Sequence, residues 1–159
     1  LTGETDEFAL QVLGKYADHE FRSIVDGELD LDDGDKQDID EKPELMAFVK
    51  EVLGDKIKEA KASRRLKTHP VCMTAGDGFS FEMEKYFKSF QTPMPVKADR
   101  ILELNTAHPA VQALEQAMTN DREKAEVYAK LLYNQALLIA GLPLEDPSEY
   151  TDLVAGLMK

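Results

Sequence analysis

Two residues of reactive type, Cys72 and His69, lie three positions apart in the chain and raise the question of thiol chemistry. A cysteine thiolate activated by a histidine is a common nucleophile, but it also needs an orienting group and an oxyanion donor. His69 precedes Pro70, and the neighbouring sequence supplies neither group. Cys72 lies between Val71 and Met73 in a short apolar run, which favours a buried, inert side chain. A small thiol hydrolase that uses Cys72 is therefore kept only as an alternative hypothesis.

An acidic run from Asp30 to Asp35 has the composition of a calcium-binding loop. In the EF-hand pattern a glycine occupies the sixth position, and the first and third positions carry oxygen ligands. With Gly34 in the sixth position, Leu29 and Leu31 take those two ligand positions, so the pattern fails. The wider segment 26–44 contains 10 acidic residues among 19. Such a composition is typical of a solvated linker.

The other chemically suggestive residues form no catalytic or metal-binding pattern. A basic cluster without interleaved aromatic residues favours a solvated face or intramolecular ion pairs over contact with phosphates. The three histidines lack metal-ligand spacing, and the sequence contains no glycine-rich phosphate loop. We therefore expect no metal, nucleotide or nucleic acid to bind this chain. The basic cluster comprises Lys56, Lys58, Lys61, Arg64, Arg65 and Lys67.

The segment 79–90 contains five of the twelve aromatic residues of the chain. Its apolar side chains recur at helical spacing and predict a short, strongly amphipathic helix. The pattern alone favours burial of this apolar stripe in the core, with an exposed binding face as the alternative. The stripe comprises Phe79, Met83, Tyr86, Phe87 and Phe90. The polar positions, expected largely elsewhere on the helix, are Glu82, Glu84, Lys85 and Lys88.

The composition fits one ordinary domain with an acidic segment before it. With 159 residues, 43% of them apolar, the chain is long enough for one core. Residues 1–44 hold 15 acidic and 4 basic residues, whereas residues 45–159 hold 16 and 15, so the net charge of -12 belongs mostly to the first segment. No apolar run approaches the roughly 20 residues that span a bilayer, and no cationic leader is recognisable. We therefore expect a cytoplasmic protein without membrane contact.

Two short elements are predicted before the acidic linker. One is a helix, and residues 21–25 form a β-rich run after it. We interpret them as the tail of a preceding domain, so that residues 1–43 combine this tail with the linker and residues 44–159 form the main domain. The predicted helical face contains Ala9, Val12, Leu13 and Tyr16.

In the main domain we predict a first helix over residues 44–60, three short strands and three C-terminal helices. Pro109 and Asp121 are expected to begin the first two C-terminal helices, and Gly141 to end the second. The third has the clearest start, because the Asp146–Pro147 pair supplies an N-cap and a first-turn proline. The strand candidates are 62–66, 71–75 and 101–105.

Three stretches of the sequence occur in an order and spacing that point to a known family. They are Ser63–Leu66 continuing through Cys72, Ile101–Asn105 with His108–Pro109, and Leu131–Leu138 continuing through Pro147. Together they resemble the C-terminal domain of the heat-shock protein 90 chaperones, of the bacterial HtpG type. Residues 4–31 are also similar to the end of that family's middle domain, so the resemblance covers most of the chain apart from the acidic linker.

The resemblance implies an α+β fold with a small three-stranded sheet, flanking helices and a C-terminal helical bundle that joins two chains. It implies a homodimerisation and client-binding module of an ATP-driven chaperone that assists protein folding under stress, with unfolded or partly folded proteins as clients. The family's ATP and Mg²⁺ site lies in an N-terminal domain outside these residues, so this chain is expected to hold no cofactor and to be no enzyme. A structural dimerisation adaptor without client binding is the alternative.

Carried over by position, the resemblance assigns the aromatic stripe to client binding. Its members are then expected to be partly exposed: Phe79, Met83, Tyr86, Phe87 and Phe90. The dimer is expected to form through the C-terminal helices, whose apolar side chains spread over more than one stripe. The expected interface residues are Val127, Leu131, Leu132, Leu138, Tyr150, Leu153, Val154 and Leu157.

Overall fold

The computed structural model describes residues 13, 15–17, 19–20, 40–76, 78–89 and 96–158. The chain divides into two compact units, one of residues 1–32 and 75–99 and the other of residues 33–74 and 100–159. The predicted domain boundary between residues 43 and 44 lies within the range of the second unit and stays a prediction. None of the described helices is both long and apolar enough to cross a membrane.

The predicted α+β class is confirmed: the described residues form five helices, a two-stranded hairpin and a three-stranded sheet. In chain order the elements are β1 (Lys15–Tyr16), β2 (His19–Glu20), α1 (Pro43–Leu53), a 3-10 turn (Gly54–Lys56), β3 (Glu59–Ala62), β4 (Val71–Ala75), α2 (Phe81–Lys88), β5 (Arg100–Leu104), α3 (Pro109–Asn120), α4 (Arg122–Ile139) and α5 (Pro147–Gly156).

The hairpin of β1 and β2 is antiparallel, with Tyr16 opposite His19. Ala17 between the strands has a φ of 49°, the left-handed conformation that tight turns use. The predicted helical face is therefore wrong at Tyr16, which is extended. Other parts of that prediction lie outside the described residues: Ala9, Val12 and 21–25.

Helix α1 begins with Pro43, whose fixed φ suits a first helical turn. The helix was expected to continue to residue 60, and this expectation is wrong. Gly54 adopts φ 54° and ψ -126°, which is not helical, and the chain leaves the helix there. The Lys50 ammonium group donates to the carbonyl oxygens of Gly54 at 2.8 Å and Ile57 at 2.6 Å, which satisfies two acceptors beyond the helix end.

The three-stranded sheet has the order β3-β5-β4, so β5 is its centre. Strands β3 and β5 are parallel, with Ala60 opposite Leu102. Strand β4 is antiparallel to β5, as the hydrogen bond from Asn105 N–H to Pro70 O at one end indicates. Strand β5 has a neighbouring strand along each edge, and its Leu102 and Leu104 side chains are fully buried. Each such side chain contributes about 1.5–3 kcal/mol through removal from water.

Strand β4 coincides with its predicted range and β5 lies within one residue of its own, but β3 comes earlier than expected. Residues 63–66 were predicted to be extended and instead form a turn. The reason is the hydroxyl of Ser63, which accepts hydrogen bonds from the backbone N–H groups of Arg65 at 3.4 Å and Leu66 at 3.3 Å. Such local bonds compete with strand pairing for the same backbone groups.

The three C-terminal helices begin as predicted, and the second ends as predicted, because these signals are local. Asp121 caps α4 by accepting from Lys124 N–H at 3.1 Å, and Asp146 caps α5 by accepting from Glu149 N–H at 2.9 Å. Gly141, with φ 65°, ends α4 in a Schellman arrangement, in which the next residue's N–H bonds to the carbonyl oxygen of Leu137 at 2.9 Å.

Helix α4 is the central helix of the second unit and packs against α1, α3 and α5. Its buried side includes Tyr133, whose hydroxyl donates to the Glu145 carboxylate at 3.3 Å. Helix α1 also packs on β3, so the helices and the sheet share one core. Its fully buried large side chains include Leu45, Val49, Ile57, Val71, Leu102, Leu104, Val111, Leu114, Tyr133 and Leu137.

Candidate functional site

Helix α2 and the residue pair before it carry a cluster of three aromatic rings, named here the aromatic cluster: Phe79, Tyr86 and Phe87. The ring of Phe87 lies edge-on to Phe79 at a centroid distance of 6.2 Å and to Tyr86 at 5.9 Å. Phe79 is 46% exposed, and the other two rings are half-buried. The rings therefore support one another while part of their apolar surface stays accessible.

The start of α2 fixes the position of Phe79. Ser80 is the N-cap residue, and its hydroxyl accepts a hydrogen bond from Met83 N–H at 3.2 Å. Its carbonyl oxygen accepts from Glu84 N–H at 3.0 Å, the first bond of the helix. Phe79 is thereby held directly before the N-cap residue, where its ring meets that of Phe87.

The buried face of α2 differs from the predicted one. Met83 is 6% exposed, so the expectation that it belongs to a partly exposed face is wrong. Glu84, which was placed among the polar positions, is fully buried. Its carboxylate accepts from Ala98 N–H and pairs with Lys88, and these contacts offset the cost of burying the charge. Phe90, the last residue of the predicted stripe, lies outside the described residues.

Helices α4 and α5 of the second unit flank an open groove of about 830 Å³, named here the α4–α5 groove. The apolar part of its lining includes Val127 from α4 and Leu153 and Leu157 from α5 or its end. An ion pair from Lys130 to Glu149, at 3.2 Å, holds the two helices together beside it. The groove on these two helices thus combines a few apolar side chains with a polar lining that includes five acidic residues: Asp121, Glu123, Asp146, Glu149 and Asp152.

The residues expected at a dimer interface differ in how the chain places them. Leu131 and Leu132 are 6% and 5% exposed, so the expectation that they offer surface to a partner is wrong, because they belong to the chain's own core. Leu138 and Leu157 are about half exposed. The half-buried members are Val127, Tyr150, Leu153 and Val154. Two further exposed apolar residues outside the expected set are Ile139 and Met158.

Glu103 on β5 is a buried carboxylate on which several side chains converge. Its Oε2 accepts from the Ser63 hydroxyl at 2.8 Å and from Arg65 Nε at 3.2 Å. Its Oε1 accepts from the Thr74 hydroxyl at 3.4 Å, and the Cys72 sulfur lies 3.8 Å from Oε2. The carboxylate therefore joins β3, β4 and β5 by polar contacts inside the sheet.

The position of Cys72 opposes nucleophilic chemistry. Burial, together with the negative charge of Glu103, raises the pKa of the Cys72 thiol to about 11. The thiol is therefore protonated at neutral pH, whereas the thiolate is the reactive form. The interpretation of Cys72 as an inert side chain, half-buried in this case, is the one that this geometry supports.

The basic cluster contributes ion pairs within the chain. Such pairs were one of its two expected uses, and a solvated face was the other. Lys56 lies 3.7 Å from Glu145, and Lys61 lies 3.8 Å from Glu103. Arg65 reaches the same carboxylate at 3.2 Å. Part of the cluster therefore forms ion pairs within the second unit.

The described residues offer no feature to which a site for Mg-ATP is assigned. Among residues 40–76, 78–89 and 96–158, no three side chains of His, Cys, Asp or Glu type converge to hold a metal ion. The sequence also contains no glycine-rich phosphate loop. No chemical step through a nucleotide is therefore assigned to this chain.

Sequence reasoning missed the two buried carboxylates. Glu103 had a signal, because it lies between Leu102 and Leu104 in a strand with several apolar residues, and a central strand can be buried on both faces. Glu84 had none, because a Glu followed four residues later by Lys88 has the pattern of an ordinary surface ion pair.

The sequence model of the family described as Hsp90 protein matches residues 1–159, the whole chain. The chaperone protein HtpG of Clostridium acetobutylicum is 44% identical over 161 residues, which cover 99% of this chain and 26% of that protein. The proteins of the same name from Oceanobacillus iheyensis and Bacillus subtilis are 44% and 41% identical, with the same coverage. The chain thus spans about a quarter of the length of these relatives. It belongs to the Hsp90 family.

Proposed function

We propose that this chain is the homodimerisation and client-binding part of a longer cytoplasmic chaperone, and that the longer protein binds ATP through another domain. The observation that carries the proposal is the state of α5: none of its ten residues is fully buried. The large apolar side chains of the helix, Tyr150, Leu153 and Val154, are only half-buried, so the helix gains part of the stability that full burial would give. Helix α5 therefore needs a partner surface.

A second copy of the chain is the partner that the geometry favours. Two neighbouring helices with exposed or half-buried apolar side chains can form half of a four-helix bundle, and a two-fold axis completes the bundle with the same surface on both chains. The α4–α5 groove supplies Val127, Leu153 and Leu157 for such contacts. Exposed Leu138 and Ile139 at the end of α4 extend the available apolar surface.

The dimer is tested by molar mass in solution, measured by light scattering as a function of concentration. The wild-type chain should have twice the 17.8 kDa of one chain. Leu153→Glu replaces an apolar side chain of the α4–α5 groove by a charge in both copies, close to lining carboxylates such as Asp152, and should give folded monomers. Ala155→Glu is the matched control, because Ala155 is exposed on the same helix and does not line the groove. A dimer with a micromolar dissociation constant is mostly formed at a chain concentration of about 100 µM. A folded wild-type monomer at that concentration would contradict the proposal.

The aromatic cluster supports the client-binding half of the proposal. Phe81 and Met83 are buried on α2, whereas Phe79, Tyr86 and Phe87 keep accessible apolar surface although they adjoin the same helix. Exposed apolar surface on a soluble domain is typical of an interaction site. Unfolded proteins expose apolar side chains, so contact with such a cluster removes apolar surface of both partners from water.

The client-binding half is tested with the affinity for a permanently unfolded, fluorescently labelled protein such as carboxymethylated α-lactalbumin. Phe79→Ser combined with Phe87→Ser should weaken binding at least tenfold, because two rings are removed from the aromatic cluster. Glu82→Ser is the control, since Glu82 is an exposed residue of α2 outside the cluster. Equal affinities of the wild type and the double variant, with an intact dimer, would favour the adaptor without client binding.

The proposal assigns ATP and Mg²⁺ to residues outside this chain. Calorimetric titration of the chain with Mg-ATP should therefore show no saturable heat. A stoichiometric site with micromolar affinity would contradict this assignment and require a nucleotide site built from the residues of this chain.

A further inference from the structure

Glu84 attaches α2 to a residue outside the helix by a hydrogen bond. Its Oε2 accepts a hydrogen bond from the backbone N–H of Ala98 at 2.9 Å. Its Oε1 pairs with the Lys88 ammonium group at 2.5 Å. Glu84 is fully buried and Ala98 is 2% exposed, whereas the Lys88 side chain is 50% exposed. All three residues lie in the first unit. The carboxylate thus joins α2 to the segment that leads into β5.

Packing alone does not account for a carboxylate at this position. Burial of a charge costs free energy, and replacement of a buried ion pair by apolar side chains is often neutral or stabilising. A methionine would fill the same space without that cost. What a methionine cannot provide is a directional bond, because apolar contacts do not fix an orientation, whereas a hydrogen bond requires one geometry.

The orientation of α2 decides which of its residues are accessible. Phe81, Glu84 and Lys88 follow one another at helical spacing along one line of α2, and the aromatic residues Tyr86 and Phe87 lie on other lines. Successive side chains of an α-helix point about 100° apart around its axis, so a rotation of that size exchanges one line of residues for another. The predicted apolar stripe, with Met83, Tyr86 and Phe87 buried together, corresponds to a rotated helix. The observed helix instead places Glu84 inside.

We propose that Glu84 is the positioning residue of α2, and that its bond to Ala98 N–H holds the helix in the rotation that leaves the aromatic cluster accessible. Without this bond, the most apolar line of α2 turns inward and the cluster is buried. The inference rests on the proposed client binding for its functional consequence. The orientation itself is independent of whether any client binds.

The test compares two replacements of similar size. Glu84→Gln keeps an oxygen that accepts from Ala98 N–H, and Glu84→Met keeps the length of the side chain but has no acceptor. In the full chain, Glu84→Met should speed amide exchange at Ala98 at least tenfold and weaken binding of unfolded α-lactalbumin at least tenfold. Glu84→Gln should stay within about threefold of the wild type in both measurements. A purely structural role would lower stability without this difference between the two variants.

A fluorescent reporter measures the orientation without a client. The chain contains no tryptophan, so Phe87→Trp supplies a single emitter in the aromatic cluster. In this background, Glu84→Met should reduce quenching by acrylamide at least twofold, because the ring becomes less accessible, and Glu84→Gln should leave it unchanged. Glu84→Asp, whose carboxylate is one methylene too short to reach Ala98, should behave like Glu84→Met. It replaces that variant if the methionine protein does not fold.

The outcomes separate this inference from the proposed function. Unchanged quenching and unchanged Ala98 exchange in Glu84→Met and Glu84→Asp overturn the positioning role. Faster exchange with unchanged quenching also overturns it, because the helix then loosens without turning. If Phe79→Ser with Phe87→Ser leaves client affinity unchanged, client binding at the cluster fails, while a quenching difference between Glu84→Gln and Glu84→Met still supports the role of Glu84.

Discussion

The hydroxyl of Ser63, at the end of β3, donates a 2.8 Å hydrogen bond to Oε2 of Glu103, at the centre of the sheet. The same hydroxyl oxygen accepts from the backbone N–H groups of Arg65 and Leu66. One side chain therefore ends a strand, begins the following turn and ties that turn to the central strand. Arg65, which the turn brings back toward the sheet, completes the arrangement by pairing with the same carboxylate.

We predict that Glu103→Ala destabilises the chain by about 3–5 kcal/mol, the usual cost of removing one partner from a buried ionic network. The substitution leaves the Ser63 and Thr74 hydroxyls and the Arg65 guanidinium group without their common acceptor. Urea unfolding followed by circular dichroism measures this loss. Glu51→Ala is the control, because Glu51 pairs with Arg122 at the surface and should cost no more than about 1 kcal/mol. Equal losses for the two variants would show that the Glu103 contacts do not stabilise the fold.

We also predict slow alkylation of Cys72. A thiol with a pKa of about 11, compared with the ordinary 9.0, has about 100-fold less thiolate at pH 8. Iodoacetamide should therefore label the folded chain about 100-fold more slowly than the chain in urea, as followed by mass spectrometry. Rapid labelling of the folded chain would return the thiol hydrolase to consideration.

The same pKa shift predicts a loss of stability at alkaline pH. The folded state favours the protonated thiol, so the contribution of Cys72 is fully present below pH 9 and is lost as pH rises from 9 to about 11. Other groups also titrate in this range. The urea midpoint of Cys72→Ala, measured beside that of the wild type at pH 8 and pH 10, should fall less between the two pH values. Parallel decreases would contradict the predicted shift.

The parts of the fold that sequence predicted are those fixed by neighbouring residues. Asp121, Gly141 and Asp146 act within one helical turn, so their roles follow from local sequence. The end of β3 also depends on neighbouring residues. The backbone N–H groups of Arg65 and Leu66 can bond either to the Ser63 hydroxyl or to an adjacent strand, and strand propensity does not decide between the two. Local signals thus predicted the starts of the C-terminal helices more reliably than the end of α1 or the position of β3.

The candidate site shows the corresponding limit for burial. Helical spacing predicted the amphipathic helix α2, and the structure contains it. Spacing alone does not determine which line of side chains along the helix is buried. That depends on partners distant in sequence, and Ala98 is fourteen residues from Glu84. The aromatic cluster could therefore be named from sequence. The helical pattern alone favoured burial of the whole stripe, which holds for Met83 but not for Phe79, and it gave no sign of the burial of Glu84.

The burial of Met83 leads to opposite expectations for two neighbours in the predicted stripe. Met83→Ala should cost about 2–5 kcal/mol, because it leaves a cavity in a buried site. Phe79→Ala should cost less than about 1 kcal/mol, because the ring is already half exposed. Thermal unfolding of the two variants, compared at the same protein concentration, measures the difference. A larger loss for Phe79→Ala would place the aromatic cluster in the core.

The last prediction separates core residues of α4 from interface residues by the effect of protein concentration. Leu132 is buried within one chain, so Leu132→Ala should lower stability by about 2–5 kcal/mol at every concentration. Leu138 is half exposed in one chain, so Leu138→Ala should act through the dimer. Unfolding of a dimer into two chains becomes harder as concentration rises, because association stabilises the folded state by mass action.

The wild-type melting temperature should therefore rise between 2 µM and 200 µM chain, and Leu138→Ala should reduce this rise while Leu132→Ala preserves it. Differential scanning calorimetry at both concentrations gives the two melting temperatures for each variant, and light scattering at the same concentrations gives their molar masses. A melting temperature of the wild type that does not depend on concentration, together with a mass of one chain, would remove the dimer. If the dimer is present but Leu138→Ala keeps the full concentration dependence, the interface does not include the end of α4 and is confined to the α4–α5 groove.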